Sequence, residues 1–449
     1  MNNAEVFEEK LYNLLLNHLD EKYDIDEYLS LLEQEPDNSM LTYVLSHAYF
    51  SLNQKDLAEK YLKKAQAMNT NIDFDENYEN LSLVIYYIFS TITSQINPFC
   101  EEDFEAELNV ENPPLKTFVD VAQKYNKTND LSNCIRVCNL AYEKFGNKPN
   151  VKFAETSALL YSRRLSAGWD GNEERFDLVR HQLKQYAKKP KFSLQKNYGK
   201  LYIYPVTQIG DTIFFVRYIK KLQEEYPKLK LFVIVNPSLK TLFEVNGIPV
   251  YDHDTLRKSE MDFQQSFEGL PWVFKNSEFP YREGYLKADK NLSDEYKTKY
   301  FNNDLRKIGI VWNSSDKDKR SMSILNFEKM FMSYKNTKFY SLQKVLSDEE
   351  REYLKIHNVE NLGENFRDFN DTAAAISNLD VVVGCDTSVT NLSGAMGVKT
   401  IIALPQNADW RWGVYEQTSN WYASVELFRQ RVDTCFEEVF ERIYKRLEE

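Results

Sequence analysis

The chain is poor in the residues that build disulfide frameworks and metal centres. Its 449 residues include five cysteines and five histidines. The cysteines show no regular spacing, and no CxxC, HExxH or similar ligand cluster occurs. That pattern argues for a reducing cytoplasm and against both a disulfide framework and a bound structural metal. No apolar run reaches the roughly 18 residues that a membrane span needs. The opening MNNAEVFEEK is acidic and lacks the basic-then-apolar form of a signal peptide. Positive charge is also short: 56 Lys and Arg face 68 Asp and Glu, a formal net charge of −12. A bare polyanion such as nucleic acid is therefore not the expected partner. Aromatic residues, by contrast, are plentiful, with 28 Phe and 29 Tyr. A large core can be built, and the length suits about two to four domains.

The first part of the chain repeats itself. Residues 39–72 place Leu45, Ser46 and Tyr49 on one helix and Ala58, Leu62 and Ala65 on the next. Residues 115–148 repeat the arrangement with Val121, Ala122 and Tyr125, then Cys134, Cys138 and Ala141. Small residues fall where two helices of a hairpin must approach closely. The pattern resembles the tetratricopeptide repeat, without its terminal Pro; the plain alternative is a helical bundle. Cys134 and Cys138, four residues apart on the packing face, are expected as small apolar fillers. Residues 5–35, 77–98 and 158–176 are expected to add degenerate helical units. One hairpin cannot bury its apolar face alone, so such units stack into a solenoid.

After Lys196 the period changes. Strand-like runs at 199–206, 230–236 and 248–252 alternate with helical ones, which predicts βαβ units and a parallel sheet. Residues 255–305 are less regular and are expected as a linker. A second alternation follows, with strands expected at 307–313, 338–344, 359–364, 380–386 and 399–405 and helices between them. The tail from Val432 to Glu449 has the pattern of an amphipathic helix. The expected fold class is α plus α/β. An all-helical solenoid over 1–190 precedes two Rossmann-like halves, 197–300 and 305–430, and a C-terminal helix over 431–449 closes the chain. Two such halves face each other across a cleft, with ligands at the carboxyl ends of the strands.

Within the second half, LDVVVGCDTSVTNLSGAMG (379–397) puts Asp386, Thr387 and Ser388 where a nearly all-apolar strand turns into a helix. Free N–H groups and the dipole of a helix start make a site for phosphate. The alternative is that Asp386 or Thr387 is only a cap. At the end of the strand over 307–312, NSSDKDKRS brings Asn313 and Ser314 together with the cations Lys317, Lys319 and Arg320. Arg can hold a phosphate bidentately; the alternative is a solvated charged loop. Gly210-Asp211 opens a helix after the first strand. Asp211 is either a base whose pKa a desolvated cleft raises, or a helix cap whose pKa the helix start lowers.

Several of these stretches occur together in one order. AGWDGNEERF, QIGDTIFFVRY, PYREGYLKAD, IGIVWNSSDKDKRSM, FYSLQK, DFNDTAAAISNLDVVVGCDTS, DWRWG and SNWYASVELFRQ cover roughly 160 to 430. In them the chain resembles heptosyltransferase-like glycosyltransferases of GT-B fold, and more closely the bacterial proteins that join tetratricopeptide repeats to such a module. The resemblance implies transfer of a sugar from a nucleotide-sugar donor, with inversion and without a metal or other cofactor. It implies donor binding by Asn313, Ser314, Lys319, Arg320, Gln343, Asp386, Thr387, Ser388 and Asn391, with Gln343 near the base or ribose. It also implies that Asp211 deprotonates the acceptor hydroxyl. Two departures stand out. Asn391 occupies a position usually held by His, and VTQIGD replaces a glycine-rich lead-in. Trp410 and Trp412 are candidates for stacking on a base or sugar, or for ordinary packing.

By analogy with O-GlcNAc transferases and flagellin-modifying enzymes, the solenoid is expected to present a protein acceptor, such as flagellin or an adhesin, in the cytoplasm. Two rivals are kept. One is a transferase for a lipid-linked or polysaccharide acceptor. The other is a repeat scaffold with a degenerate transferase domain.

Overall fold

The computed structural model describes residues 22–68, 104–128, 130–180, 189–196, 198–252, 256, 260–275, 279–314, 320–414, 416–431 and 435–448, with single helical positions among residues 7–18 and at 81 and 84. They form two compact units, residues 1–175 with 409–417, and residues 176–408 with 418–449.

The first unit is helical. Its helices are α1 (Ile25–Gln34), α2 (Ser39–Ser51), α3 (Lys55–Met68), α4 (Leu115–Lys127), α5 (Leu131–Phe145), α6 (Pro149–Tyr161) and the start of α7 (Leu165–Arg180). Short polar side chains set several starts: Asp24, Asn38 and Asp130 accept from backbone N–H groups three residues on. Helix α2 packs on α3, and α4, α5 and α6 pack on one another. The small-residue seams are buried as expected, with Leu45, Ser46, Ala58, Leu62 and Ala65 in one and Val121, Ala122, Cys134, Cys138 and Ala141 in the other. Cys134 and Cys138 point their sulfurs at the carbonyls of Ala154 and Val151, each at 3.7 Å. They fill the seam. The helical unit expected over 77–98 lies outside the described residues apart from Leu81 and Val84, both helical and buried. Residues 409–417 complete this unit. Val414 is in its core, Trp410 lies edge-on to Trp169 at 5.5 Å, and buried Glu416 pairs with Arg163 at 2.5 Å. Trp412 is buried as well. Both tryptophans of DWRWG are thus packing residues of the helical unit.

The second unit holds two wholly parallel sheets. The first has three strands, β1 (Gly199–Tyr204), β2 (Leu229–Val233) and β3 (Phe263–Ser266), in the order β2-β1-β3. Helices α8 (Ile209–Phe215) and α9 (Arg217–Glu225) follow β1, α10 (Lys240–Val245) follows β2, and α11 (Leu270–Phe274) and α12 (Lys290–Tyr300) follow β3. The second sheet contains β4 (Arg306–Val311), β5 (Thr337–Ser341), β6 (Glu360–Asn361), β7 (Val381–Cys385), β8 (Thr400–Leu404) and β9 (Val425–Arg429). Its helices are α13 (Glu328–Ser333), α14 (Asp348–Ile356), α15 (Phe369–Ile376), α16 (Ser388–Ala395) and α17 (Phe436–Glu448). Its strand order is β6-β5-β4-β7-β8-β9. The chain winds outward from the centre in both directions, so the order reverses between β4 and β7. A crevice opens at the carboxyl ends of strands at such a switch point.

The central strands are buried end to end, β7 as VVVGC and β8 as TIIAL, because helices cover both faces. Helix α17 covers one face with Val439, Phe440, Ile443 and Leu447. Two expectations need correcting. The segment expected as a linker contains β3, α11 and α12. Its strand went unrecognised because FQQS is polar, although Gln264, Gln265 and Ser266 are all buried. Gln264 is kept there by Tyr204, whose hydroxyl donates to Oε1 at 2.6 Å. The strand expected at 248–252 is only a bridge from Val250 to Val233. Among the described residues no helix is long and apolar enough to cross a membrane.

Candidate functional site

The loops after β4 and β7 line the crevice of the six-stranded sheet. Thr387 caps α16, whose first turn is closed by hydroxyls. Thr390 N–H donates to Thr387 Oγ1 at 3.4 Å, and Thr387 N–H donates to Thr390 Oγ1 at 3.0 Å. The Thr390 hydroxyl also donates to Cys385 O at 2.9 Å, fixing the turn from strand to helix. Asp386 and Thr387 are buried and Ser388 is half-buried at the opening. Burial pushes the Cys385 thiol up, and the adjacent Asp386 carboxylate adds to the effect. It is an inert filler.

Arg320 is brought to the same place. Its Nη1 lies 3.4 Å from Asp386 Oδ2, with the carboxylate buried and the guanidinium about a third exposed. Among the described residues this one long contact is its ion pair, and a guanidinium has five N–H donors. Lys319 and its neighbour Lys317 lie outside the described residues. Asn391, on the first turn of α16, donates from Nδ2 to Thr387 O at 2.9 Å and to Asp386 Oδ1 at 3.4 Å.

Asn313, Ser314 and Gln343 knit the neighbouring strand ends. Gln343 is buried, and its Oε1 accepts from Trp312 N–H at 3.3 Å and Asn313 N–H at 2.9 Å. Its amide thus ties the carboxyl end of β5 to that of β4. Ser314 N–H donates to Ser321 Oγ at 3.0 Å. Asn313 Nδ2 donates to Glu350 Oε1 at 3.0 Å, and the Trp312 indole donates to the same oxygen at 2.6 Å. Sequence reasoning missed Glu350. Its signal was present in SDEE, because Ser347 and Glu350 form the capping box of α14.

The first sheet brings its own switch point to this crevice. Gly210 in α8 packs against the opening of α16. A Cβ added to Gly210 would stand 3.7 Å from Ser388 Cα and 3.8 Å from Asn391 Nδ2. Asp211 is the next residue. Its carboxylate accepts from Gln208 N–H at 3.2 Å and so closes the first turn of α8. The loop before it is held by Glu268, which sequence reasoning also missed. One oxygen, Oε1, accepts from Val206 N–H at 3.1 Å, Thr207 N–H at 2.9 Å and the Thr207 hydroxyl at 2.7 Å. Burial holds the Glu268 carboxyl above its ordinary value, outweighing those three donors. Among the described residues no group of three or more His, Cys, Asp or Glu side chains could hold a metal ion.

The structure therefore brings Gly210, Asp386, Thr387, Ser388, Asn391 and Arg320 together, with Asp211 beside them, and uses Gln343 and Asn313 one strand away to fix backbone. No protein-family model and no curated protein matches the chain. Among solved structures it is similar to ADP-heptose LPS heptosyltransferase II of E. coli, at 10% identity and a TM-score of 0.43, over 56% of this chain and 98% of that one. A glycosyl transferase of family 9 from Veillonella parvula matches at 10% identity and 0.40, over 57% and 91%. A mutant O-GlcNAc transferase from Thermobaculum terrenum matches at 11% identity and 0.29, over 99% and 90%.

Proposed function

We propose that this protein transfers a glycosyl group from a nucleoside-diphosphate sugar, and that the donor diphosphate docks where α16 opens. One observation carries the reading. The strand order reverses between β4 and β7, and the helix start after β7 stands there with Arg320 beside it and Gly210 of the other sheet against it. Amides at a helix start and a guanidinium together suit an anionic leaving group. In this reading Arg320 turns its remaining donors to the phosphates, while Asp386 keeps it oriented. Asn391 supplies a neutral donor where a His would be ionisable. Asp211 faces the acceptor hydroxyl and accepts its proton as the diphosphate departs. The reaction is inverting and uses no metal. The order of motifs from AGWDGNEERF to SNWYASVELFRQ supports the same assignment.

The helical unit presents the acceptor, a protein segment bound along tetratricopeptide-like hairpins. A second reading has its own support: Asp211 already spends its carboxylate on Gln208 N–H, as a cap would. On that reading the protein binds nucleotide and turns nothing over. Calorimetric titration with ADP, GDP and UDP tests the shared part of both readings. Binding of one of them, lost in Arg320→Ala, is expected; no binding of any would end both. Release of that nucleotide from its sugar conjugates, with a mass gain on an acceptor protein, separates transfer from binding alone.

A further inference from the structure

We infer that Arg217, Tyr285 and Tyr422 form a buried positioning relay that fixes the side-chain amide of Asn391 at the opening of α16. The inference rests on the nucleotide reading of that opening.

Arg217 begins α9 and is wholly buried. A buried charge normally needs a carboxylate beside it. Here the partners are carbonyls, a phenol and ring faces. Nε donates to Phe214 O at 3.0 Å, Nη1 to Trp421 O at 2.8 Å and Pro280 O at 3.4 Å, and Nη2 to Tyr285 Oη at 3.1 Å. The guanidinium carbon lies 4.5 Å from the Tyr285 ring centroid, 4.8 Å from Tyr422, 5.0 Å from Phe214 and 5.5 Å from Trp421. Residues far apart in sequence are thereby gathered around one cation.

The relay continues towards the crevice. Tyr285 Oη accepts from Arg217 and donates to Ile213 O at 2.9 Å. The Tyr285 and Tyr422 rings lie nearly parallel, at 16° with centroids 6.4 Å apart. Tyr422 Oη donates to Asn391 Oδ1 at 3.1 Å. The two sides agree on which way the amide faces: the hydroxyl donates to its oxygen, and Thr387 O and the Asp386 carboxylate, which only accept, take its nitrogen. Nδ2 is left towards Thr387 O and Asp386 Oδ1. A flipped amide would set its oxygen against the Asp386 carboxylate. With the relay in place, the end of Asn391 that faces Gly210 is the amide nitrogen, which holds Thr387 O and Asp386, and not the oxygen, which would repel an anion.

The packing shows that Tyr422 is held where it must be. A Cβ on Gly394 would lie 2.8 Å from the Tyr422 ring, so only glycine at this point of α16 admits the phenol so close. At the far end of the helix the N–H groups of Tyr285 and Leu286 both donate to Ala395 O, at 2.8 and 3.0 Å. Helix α16 is thus pinned along its flank and at its end by the residues that surround Arg217.

The test uses Tyr422→Phe, which keeps the ring and deletes only the hydroxyl. Affinity for whichever of ADP, GDP and UDP binds the wild type should fall about fivefold, the size of one neutral hydrogen bond. In an Asn391→Ala background the same substitution should change nothing, because Tyr422 acts through the amide. Unchanged affinity in Tyr422→Phe, or losses that add in the double variant, would overturn the relay. A wild type that binds none of the three removes the nucleotide reading and leaves the relay testable. In the unliganded protein Tyr422→Phe should then shift the side-chain NH₂ resonances of Asn391, and resonances that stay in place would refute it.

Discussion

Two helix starts meet at the crevice, and they are finished with different chemistry. Helix α8 opens with a carboxylate in its first turn, Asp211, bound to Gln208 N–H. Helix α16 is capped by hydroxyls, Thr387 and Thr390, and the carboxylate that precedes it, Asp386, is paired with Arg320. A carboxylate already offsets the positive end of a helix, whereas a hydroxyl leaves that field in place. Neighbouring ends of similar geometry therefore attract opposite things. On the proposed reading the opening of α16 takes an anion, and that of α8 takes a group with a proton to give. A transferase needs both, one for a departing diphosphate and one for an incoming hydroxyl.

The contrast can be broken most sharply at its acidic side. Asp211→Asn keeps the size and a cap acceptor and removes the charge. Turnover should fall by about 10²- to 10⁴-fold, the usual worth of a positioned base, while calorimetry finds nucleotide affinity nearly intact. Turnover close to wild type would reduce Asp211 to a cap and leave the binding reading standing. On the other side, Arg320→Gln should weaken nucleoside-diphosphate binding by about 10- to 100-fold, the range of a charge-assisted hydrogen bond. A smaller effect follows from Thr387→Ala, which deletes the α16 cap and should cost about 1 kcal/mol in denaturant melts.

The smallest effect concerns the loop beneath α8. The Glu268 carboxyl is held above its ordinary 4.5 by burial. The folded state therefore keeps a proton that the unfolded chain has lost. Stability from this group is full below 4.5 and declines as pH rises through the folded value. Glu268→Gln, which cannot ionise, should narrow the stability gap to wild type, or reverse it, as pH is raised from 4 to neutrality. A gap that stays constant would show that the carboxyl does not titrate with folding.

Much of the second sheet was legible because its strands are continuous apolar runs and their ends carry small polar residues. The stretch from Val381 to Ala395 reads correctly as strand, turn and helix from composition alone. Strand β3 was not legible, since its buried glutamines look like a surface loop until Tyr204 is seen to bond one of them. The site divided in the same way. Asp386 and Thr387 announce themselves by their place after an apolar strand, but the pairing of Asp386 with Arg320 joins residues 66 apart in sequence. Arg217 is the extreme case. In RYIKKLQEE it looks like one more solvated cation, and its partner Trp421 O stands 204 residues away. Nor could the sequence show that the Gln343 oxygen is taken up by two backbone amides of the neighbouring strand end, some 30 residues away.

The short stretch 409–417 governs how this protein can be dissected. It is threaded between β8 and β9, yet Val414, Trp410 and Glu416 belong with the helices. A truncation ending at residue 175 would strip the helical unit of a core side chain and leave Arg163 without Glu416. The complementary fragment would carry an orphaned hydrophobic tongue. Recombinant halves would therefore be soluble only if that peptide were supplied to the first and excised from the second.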